Sequence, residues 1–204
     1  MNRSLALFDF DGTITSQDTL FEFIIYFKGW TKFLVGMIAL SPVIILFLFR
    51  LLPNWKAKEL LFIYFFKGET FKEFQSACDL FSVDKIPHLL RPTALKKLTE
   101  HIQRGDRVII VSASPENWVG RWAEAHGFEW IATRLESANG LLTGRISGKN
   151  CYGQEKVIRI KDYLNISEYN SIYTYGDSRG DWPMLRLGTS VNYKKFEDQD
   201  VVIQ

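Results

Sequence analysis

Two aspartates stand two positions apart at Asp9 and Asp11, and a second pair stands four apart at Asp177 and Asp181. The first pair follows the apolar run Leu5-Ala6-Leu7-Phe8, and the second follows Ser171-Ile172-Tyr173-Thr174-Tyr175. Carboxylates this close repel one another, so one pKa must rise unless a cation neutralises them. Four acids converging on one strand edge, with no His or Cys partner, favour a hard ion such as Mg²⁺ over zinc. Groups suited to a phosphoryl oxygen accompany them. Thr13 and Ser112 carry hydroxyls, Gly12 admits close backbone approach, the Ser114-Pro115 helix start offers amides, and Lys156 after Gly153 supplies a point charge. Phosphoryl transfer asks chiefly for positioning and charge neutralisation, which these residue types can provide.

The elements that position them can be read from periodicity. Leu5–Phe8, Arg107–Val111 and Ser171–Tyr175 are short continuous apolar runs, the pattern of buried parallel strands, and each ends in small or acidic polar residues. Thr93–Gln103 places Leu95, Leu98 and Ile102 at helical spacing and stops at Gly105. Ser114 is expected as an N-cap with Pro115 in the first helical position, leading into Trp118, Val119, Trp122 and Ala125. Gln154–Leu164 aligns Val157, Ile160 and Leu164, and residues 135–146 read as a hairpin around Asn139-Gly140. Strands alternating with helices predict an α/β fold with a doubly wound parallel sheet, whose ligands bind at the carboxyl ends of the strands.

Residues 16–88 break the alternation. They read as a helical cap inserted after the first strand, leaving residues 1–15 and 89–204 as the catalytic core. Within the cap, the seventeen residues Phe33–Phe49 carry no charge and are apolar on every face, with Ser41-Pro42 in the middle and Lys28, Trp30, Lys32 and Arg50 at the flanks. That pattern suits either a segment in contact with membrane lipid or a buried helical hairpin bent at Pro42. A net charge of +2 over 204 residues gives no reason for a nucleic-acid partner. Two distant cysteines, Cys78 and Cys151, argue against a disulfide framework and a zinc site, and with no signal-peptide pattern the expected setting is cytoplasmic, or the cytoplasmic face of the inner membrane if the apolar segment meets lipid. His88, His101 and His126 read as surface or packing residues.

In chain order, Asp9-Phe10-Asp11-Gly12-Thr13, Ser112, Lys156 and Gly176-Asp177-Ser178-Arg179-Gly180-Asp181 resemble the four motifs of the haloacid dehalogenase superfamily, over residues 5 to about 193. The resemblance implies a phosphatase with Asp9 as nucleophile and Asp11 as acid and then base. It implies phosphate binding by Gly12, Thr13, Ser112, Ala113 and Lys156. Mg²⁺ would be held by Asp9, the Asp11 carbonyl and Asp177, with Asp181 supporting directly or through water. The helical cap between the first two motifs is similar to the phosphoserine-phosphatase-like branch. The chain departs from true phosphoserine phosphatases where Ala113-Ser114-Pro115-Glu116 replaces their glycine-rich stretch and Asp18 replaces their substrate-reading Glu. Asp18, Glu22 and Arg179 are the candidate substrate-reading residues. Cys151-Tyr152-Gly153-Gln154-Glu155-Lys156 and the apolar cap segment resemble the phosphatidylglycerophosphatase C group of lipid phosphatases. The expected activity is a Mg²⁺-dependent phosphomonoesterase acting on a phospholipid headgroup phosphate such as phosphatidylglycerol phosphate. The alternatives are a phosphatase of a small soluble metabolite and a non-catalytic phosphate-binding protein.

Overall fold

Leu5, Ala6, Leu7 and Phe8 have no exposed surface, the signature of a strand covered on both faces. The computed structural model describes residues 3–194 and 196; residues 1–2, 195 and 197–204, which the sequence assigns to the core, lie outside the described residues. The apolar run forms β1 (Ser4–Phe8), at the centre of a sheet completed by β2 (Arg107–Pro115), β3 (Glu129–Thr133), β6 (Ser171–Gly176) and β7 (Ser190–Tyr193) in the order β3-β2-β1-β6-β7. Every pairing in it is parallel. Phe8 pairs with Ile110 on one side and Tyr175 on the other, so Asp9, Val111 and Gly176 emerge at one level of the carboxyl edge.

Between β1 and β2 run α1 (Thr19–Lys28), α2 (Trp30–Ala39), α3 (Ser41–Leu48), α4 (Asn54–Phe66), α5 (Phe71–Asp84), α6 (Ile86–Leu89) and α7 (Pro92–Gln103). Helix α8 (Glu116–Ala125) joins β2 to β3 and, with α7, covers one sheet face, where Ala94, Leu98, Trp118 and Trp122 meet Ala6, Phe8 and Ile110. Helices α9 (Gln154–Tyr163) and α10 (Trp182–Leu185) cover the other, where Ile160 and Met184 meet Leu5, Leu7 and Val111. The hairpin β4 (Leu135–Ala138) and β5 (Leu141–Ile146) leaves the sheet and props the cap: Gly68 donates to Leu142 O and Leu142 to Glu69 O, each at 2.9 Å. Gly144 is required there, since its φ is +77° and a Cβ would lie 2.5 Å from Ile63 Cα. At the neck of the cap, Ser16 donates to Leu89 O and Arg91 to Ile14 O, both at 2.8 Å.

The cap is held by rings. Phe23 is fully buried among Phe66, Phe74 and Phe81 and stacks on Trp118 of the core at 4.7 Å, so cap and core share one apolar interior. The segment 33–49 is not the buried hairpin that one sequence reading expects. It forms α2 and α3 with a 60° bend, and no single helix among the described residues is long and apolar enough to cross a membrane. Pro42 has no N–H to bond back along the preceding helix, so the helix breaks before it. Helix α3 contributes no buried residue, and Ile38, Leu48, Phe49 and Leu51 are 74%, 70%, 74% and 73% exposed.

One other expectation changes. Ser114 does not cap α8: β2 continues to Pro115, which itself occupies the N-cap, and the Ser114 hydroxyl is buried without a partner. His101 is buried as a packing residue against Phe8 and Tyr173, and it also has an acid partner. Its Nδ1 lies 2.7 Å from Asp106 Oδ2 and its Nε2 2.9 Å from the Tyr175 hydroxyl, while burial pushes its pKa down.

The ring cluster makes a stability prediction. Phe23→Ala should lower the free energy of unfolding by about 3–5 kcal/mol. Ile38→Ala, on the exposed face, should change it by no more than about 0.5 kcal/mol. Urea titration of both variants measures this, and equal losses would mean that the α2 face is packed.

Candidate active site

The loop after β1 is set by one carbonyl. The amides of Thr13, Ile14 and Thr15 all point back to Phe10 O, at 3.3, 2.8 and 3.0 Å, and Gly12 turns the chain with φ +80°. A Cβ at Gly12 would lie 2.2 Å from Asp177 Oδ2, so glycine is demanded by the turn and by the neighbouring carboxylate alike. The loop presents Asp9 and Asp11 to a cavity of about 360 Å³ that Gly12, Ala113, Lys156, Asp177 and Asp181 also line.

Lys156 sits in the first turn of α9 with 1% of its surface exposed. Its ammonium donates to Asp9 Oδ1 at 2.6 Å, Asp181 Oδ1 at 2.7 Å and Val111 O at 2.7 Å, which uses all three of its N–H groups. Asp181 is fixed in turn by Ser178, whose amide and hydroxyl donate to Oδ2 at 3.0 and 2.7 Å. Thr13 Oγ1 donates to Asp9 Oδ2 at 3.2 Å.

Charge runs short of balance here. Burial alone would lower the Lys156 pKa, but Asp9 and Asp181 outweigh it and hold the ammonium protonated. Burial would raise the Asp181 pKa, but Lys156 and the Ser178 donors bring it below the usual value. Asp9 goes the other way: burial and the charge of Asp181, joined by Asp177, push its carboxyl well above the usual range despite Lys156. A further cation beside it would favour the ionised form of Asp9. Carboxylate oxygens of Asp9, Asp177 and Asp181 lie within 4.8 Å of one another, and this all-oxygen donor set fits Mg²⁺. The Asp11 side chain is outside that group.

Asp11 is oriented separately. Its Oδ1 accepts from the Thr19 amide at 2.7 Å and the Thr19 hydroxyl at 2.5 Å, and Ser112 Oγ approaches Oδ2 at 3.5 Å. Trp118 Nε1 donates to the Thr19 hydroxyl at 3.0 Å, which leaves that hydroxyl's own proton for Asp11. Ser112 is buried and accepts from the Ser114 amide at 2.9 Å.

Among the substrate-reading candidates, Asp18 lines the cavity and caps α1 by accepting from the Leu20 amide at 2.9 Å. Glu22 and Arg179 are not among the lining residues. Sequence reasoning missed Thr19, Asn54, Lys58 and Tyr152. The last three line the cavity, and Lys58 donates from α4 to Ala113 O at 2.9 Å. No local signal sets Lys58 apart from Lys56 and Glu59 of the same helix.

Comparison with known proteins agrees with this geometry. Residues 6–186 match the profile of the haloacid dehalogenase-like hydrolases. Protein CicA of Caulobacter vibrioides is 32% identical over 194 residues, covering 94% of this chain and 86% of that protein. A structure of a Bordetella pertussis Tohama I protein of unknown function superposes with a TM-score of 0.80 at 24% identity, covering 93% of this chain and 88% of the other. Phosphoserine phosphatase in its apo form superposes with a TM-score of 0.65 at 18% identity, over 92% and 84% of the two chains.

The cation deficit has a thermal consequence. Millimolar Mg²⁺ should raise the melting temperature, because an ion bound only by the folded state stabilises it. Gly12→Ala forces Asp177 aside and should largely abolish the rise. A wild-type protein whose melting temperature ignores Mg²⁺ would leave Asp9, Asp177 and Asp181 without a metal role.

Proposed function

The chain belongs to the haloacid dehalogenase-like hydrolases, and on that premise we propose that it is a phosphomonoesterase working through an aspartyl-phosphate, the acyl phosphate of Asp9, with a phospholipid headgroup phosphate as substrate. The observation that carries the reaction class is the placing of two differently held carboxylates in one cavity. Asp9 is aimed by Lys156 and Thr13, and Asp11 by Thr19. Asp9 attacks phosphorus while Asp11 gives a proton to the departing ester oxygen. Asp11, now ionised, takes a proton from water, which attacks phosphorus and returns Asp9 as a free carboxylate with release of phosphate. Ser112, the Ala113 amide, Gly12 and Thr13 border the place where the phosphoryl oxygens lie. Mg²⁺ held by Asp9, Asp177 and Asp181, with the Asp11 carbonyl, would neutralise charge on those oxygens. A non-catalytic phosphate binder would need neither the aimed acid nor its orienting hydroxyl.

The lipid reading is supported by where the apolar surface lies. Phe49 and Leu51 are exposed, and Asn54, which lines the cavity, follows Leu51 by three residues. Three residues of chain reach no further than about 11 Å, so the apolar tip lies beside the cavity. Lys32 and Lys67 border a separate depression of the cap with Val35 and Phe65, where Lys28 is paired with Glu69, and these basic and apolar groups would suit an anionic membrane surface. Free, buried Cys78 and Cys151 are compatible with a reducing compartment, and on this reading the contact would be made at the cytoplasmic face of the inner membrane. A second reading, hydrolysis of a small soluble phosphate, draws support from the polar lining supplied by Gln17, Asp18, Asn54 and Lys58.

Asp9→Asn should reduce phosphate release to background, and retained turnover would remove the nucleophile. Thr19→Val should lower kcat on an alkyl phosphate by about 10–100-fold with little change in KM, as expected for losing a hydrogen bond to a charged group.

Substrate class is tested by vesicle sedimentation with a phosphate panel. The double variant Phe49→Ser with Leu51→Ser should bind phosphatidylglycerol vesicles about tenfold or more weakly, from the apolar area it no longer buries. It should lose phosphatidylglycerol phosphate turnover while still hydrolysing p-nitrophenyl phosphate. Wild-type protein that ignores vesicles and prefers a soluble monophosphate would select the second reading.

A further inference from the structure

We propose that Lys58 anchors a second anionic group, carried by the alcohol portion of the substrate, so that the cap selects phosphomonoesters whose leaving group bears its own oxyanion. This rests on the phosphatase reading above and adds to it a specificity residue. Two lysines line the cavity among the described residues, and they are differently engaged. Lys156 has no donor left, being bound to Asp9, Asp181 and Val111 O. Lys58 donates to the neutral carbonyl of Ala113 at 2.9 Å, a contact that satisfies one N–H and leaves donors to spare, and its charge acts on the Asp18 carboxylate of the same cavity.

Position assigns the partner. Asn54 and Lys58 are one helical turn apart on α4 and both line the cavity, with buried Phe62 the next residue along that stripe. The transferring phosphoryl group belongs beside Asp9, at the sheet edge. Lys58 enters from the cap, with Asp18 and Gln17, where the leaving group must lie. Asn54 Oδ1 accepts from Asn150 Nδ2 at 3.1 Å, so the amide NH₂ of Asn54 is its remaining polar group. An ammonium and an amide NH₂ on one helix face suit an oxyanion. Both a phosphodiester and a carboxylate have that chemistry, and a half-buried cation beside either is stabilised far more than in open water.

The plain alternative is that Lys58 only latches the cap to the loop after β2. Steady-state kinetics of the full chain and of Lys58→Met and Lys58→Arg separate the two. The substrates are glycerol 3-phosphate, whose leaving group is neutral, 3-phosphoglycerate, which replaces its terminal CH₂OH by a carboxylate, phosphatidylglycerol phosphate in mixed micelles, and p-nitrophenyl phosphate. The wild type should favour at least one anion-bearing substrate over glycerol 3-phosphate in kcat/KM. Lys58→Met should cut that preference about tenfold or more, chiefly through KM, and Lys58→Arg should keep most of it. Loss confined to the lipid names a phosphodiester as the anion, and loss confined to 3-phosphoglycerate names a carboxylate. Equal loss on glycerol 3-phosphate and the anion-bearing substrates, or a wild type with no preference, overturns the anion site and leaves the phosphatase standing. A wild type that hydrolyses none of the four, p-nitrophenyl phosphate included, removes both.

Discussion

A single buried ammonium ties the site together. Lys156 is bonded to the end of β1 through Asp9, to β2 through the Val111 carbonyl and to the loop after β6 through Asp181. Removing one partner of a buried charge pair costs roughly 3–5 kcal/mol, so these three segments cannot separate without a large penalty. The same contacts explain the glycines around them. Gly12 lets Asp177 approach the first loop, and Gly176 lets Asp181 fold back over its own strand, where a Cβ would lie 2.6 Å from Asp181 Cβ. Asp9, Asp177 and Asp181 gather at the carboxyl edge of the sheet with carboxylate oxygens within 4.8 Å of one another, a donor set that a divalent cation would suit.

The cap and the acid are coupled through one indole. Trp118 stacks on Phe23, the centre of the cap's ring cluster, and donates its N–H to Thr19, which holds Asp11. Tilting the cap by a rotation of α1 would therefore disturb the orientation of the Asp11 carboxyl. No charged group is needed for this link. It depends on packing density around Phe23, where four phenyl rings and an indole leave little freedom.

What could be read from the sequence follows from which physics is local. The continuous apolar run of β1 announces burial on both faces, and the small and acidic residues that end β1, β2 and β6 mark the edge where the site lies. Glu129–Thr133 and Ser190–Tyr193 were not read as strands because the flanking β3 begins half-exposed and β7 alternates at the sheet margin. The extension of β2 through Ser114 depends on pairing of Pro115 with Thr133, a tertiary contact no local pattern announces. Thr19 and Lys58 were invisible for the same reason: a hydroxyl or an amine acquires its role only when Trp118 or Ala113 is brought to it. For residues 33–49, hydrophobicity was legible but burial was not, since an apolar residue facing solvent or lipid has the same side chain as one facing a core.

That last ambiguity bears on how the site is arranged. The cavity wall is polar almost throughout, while the surface of α2, α3 and the turn before Asn54 is apolar and outward-facing. A soluble protein has no stability to gain from leaving Ile38, Leu48, Phe49 and Leu51 in water, where each forgoes about 1.5–3 kcal/mol of burial. Such surface is retained when something covers it. The polar cavity begins within a few residues of Leu51, and on the proposed lipid reading a molecule with a charged head and an apolar body would use both surfaces. An entirely polar substrate would use the cavity and leave the tip without a part in the reaction.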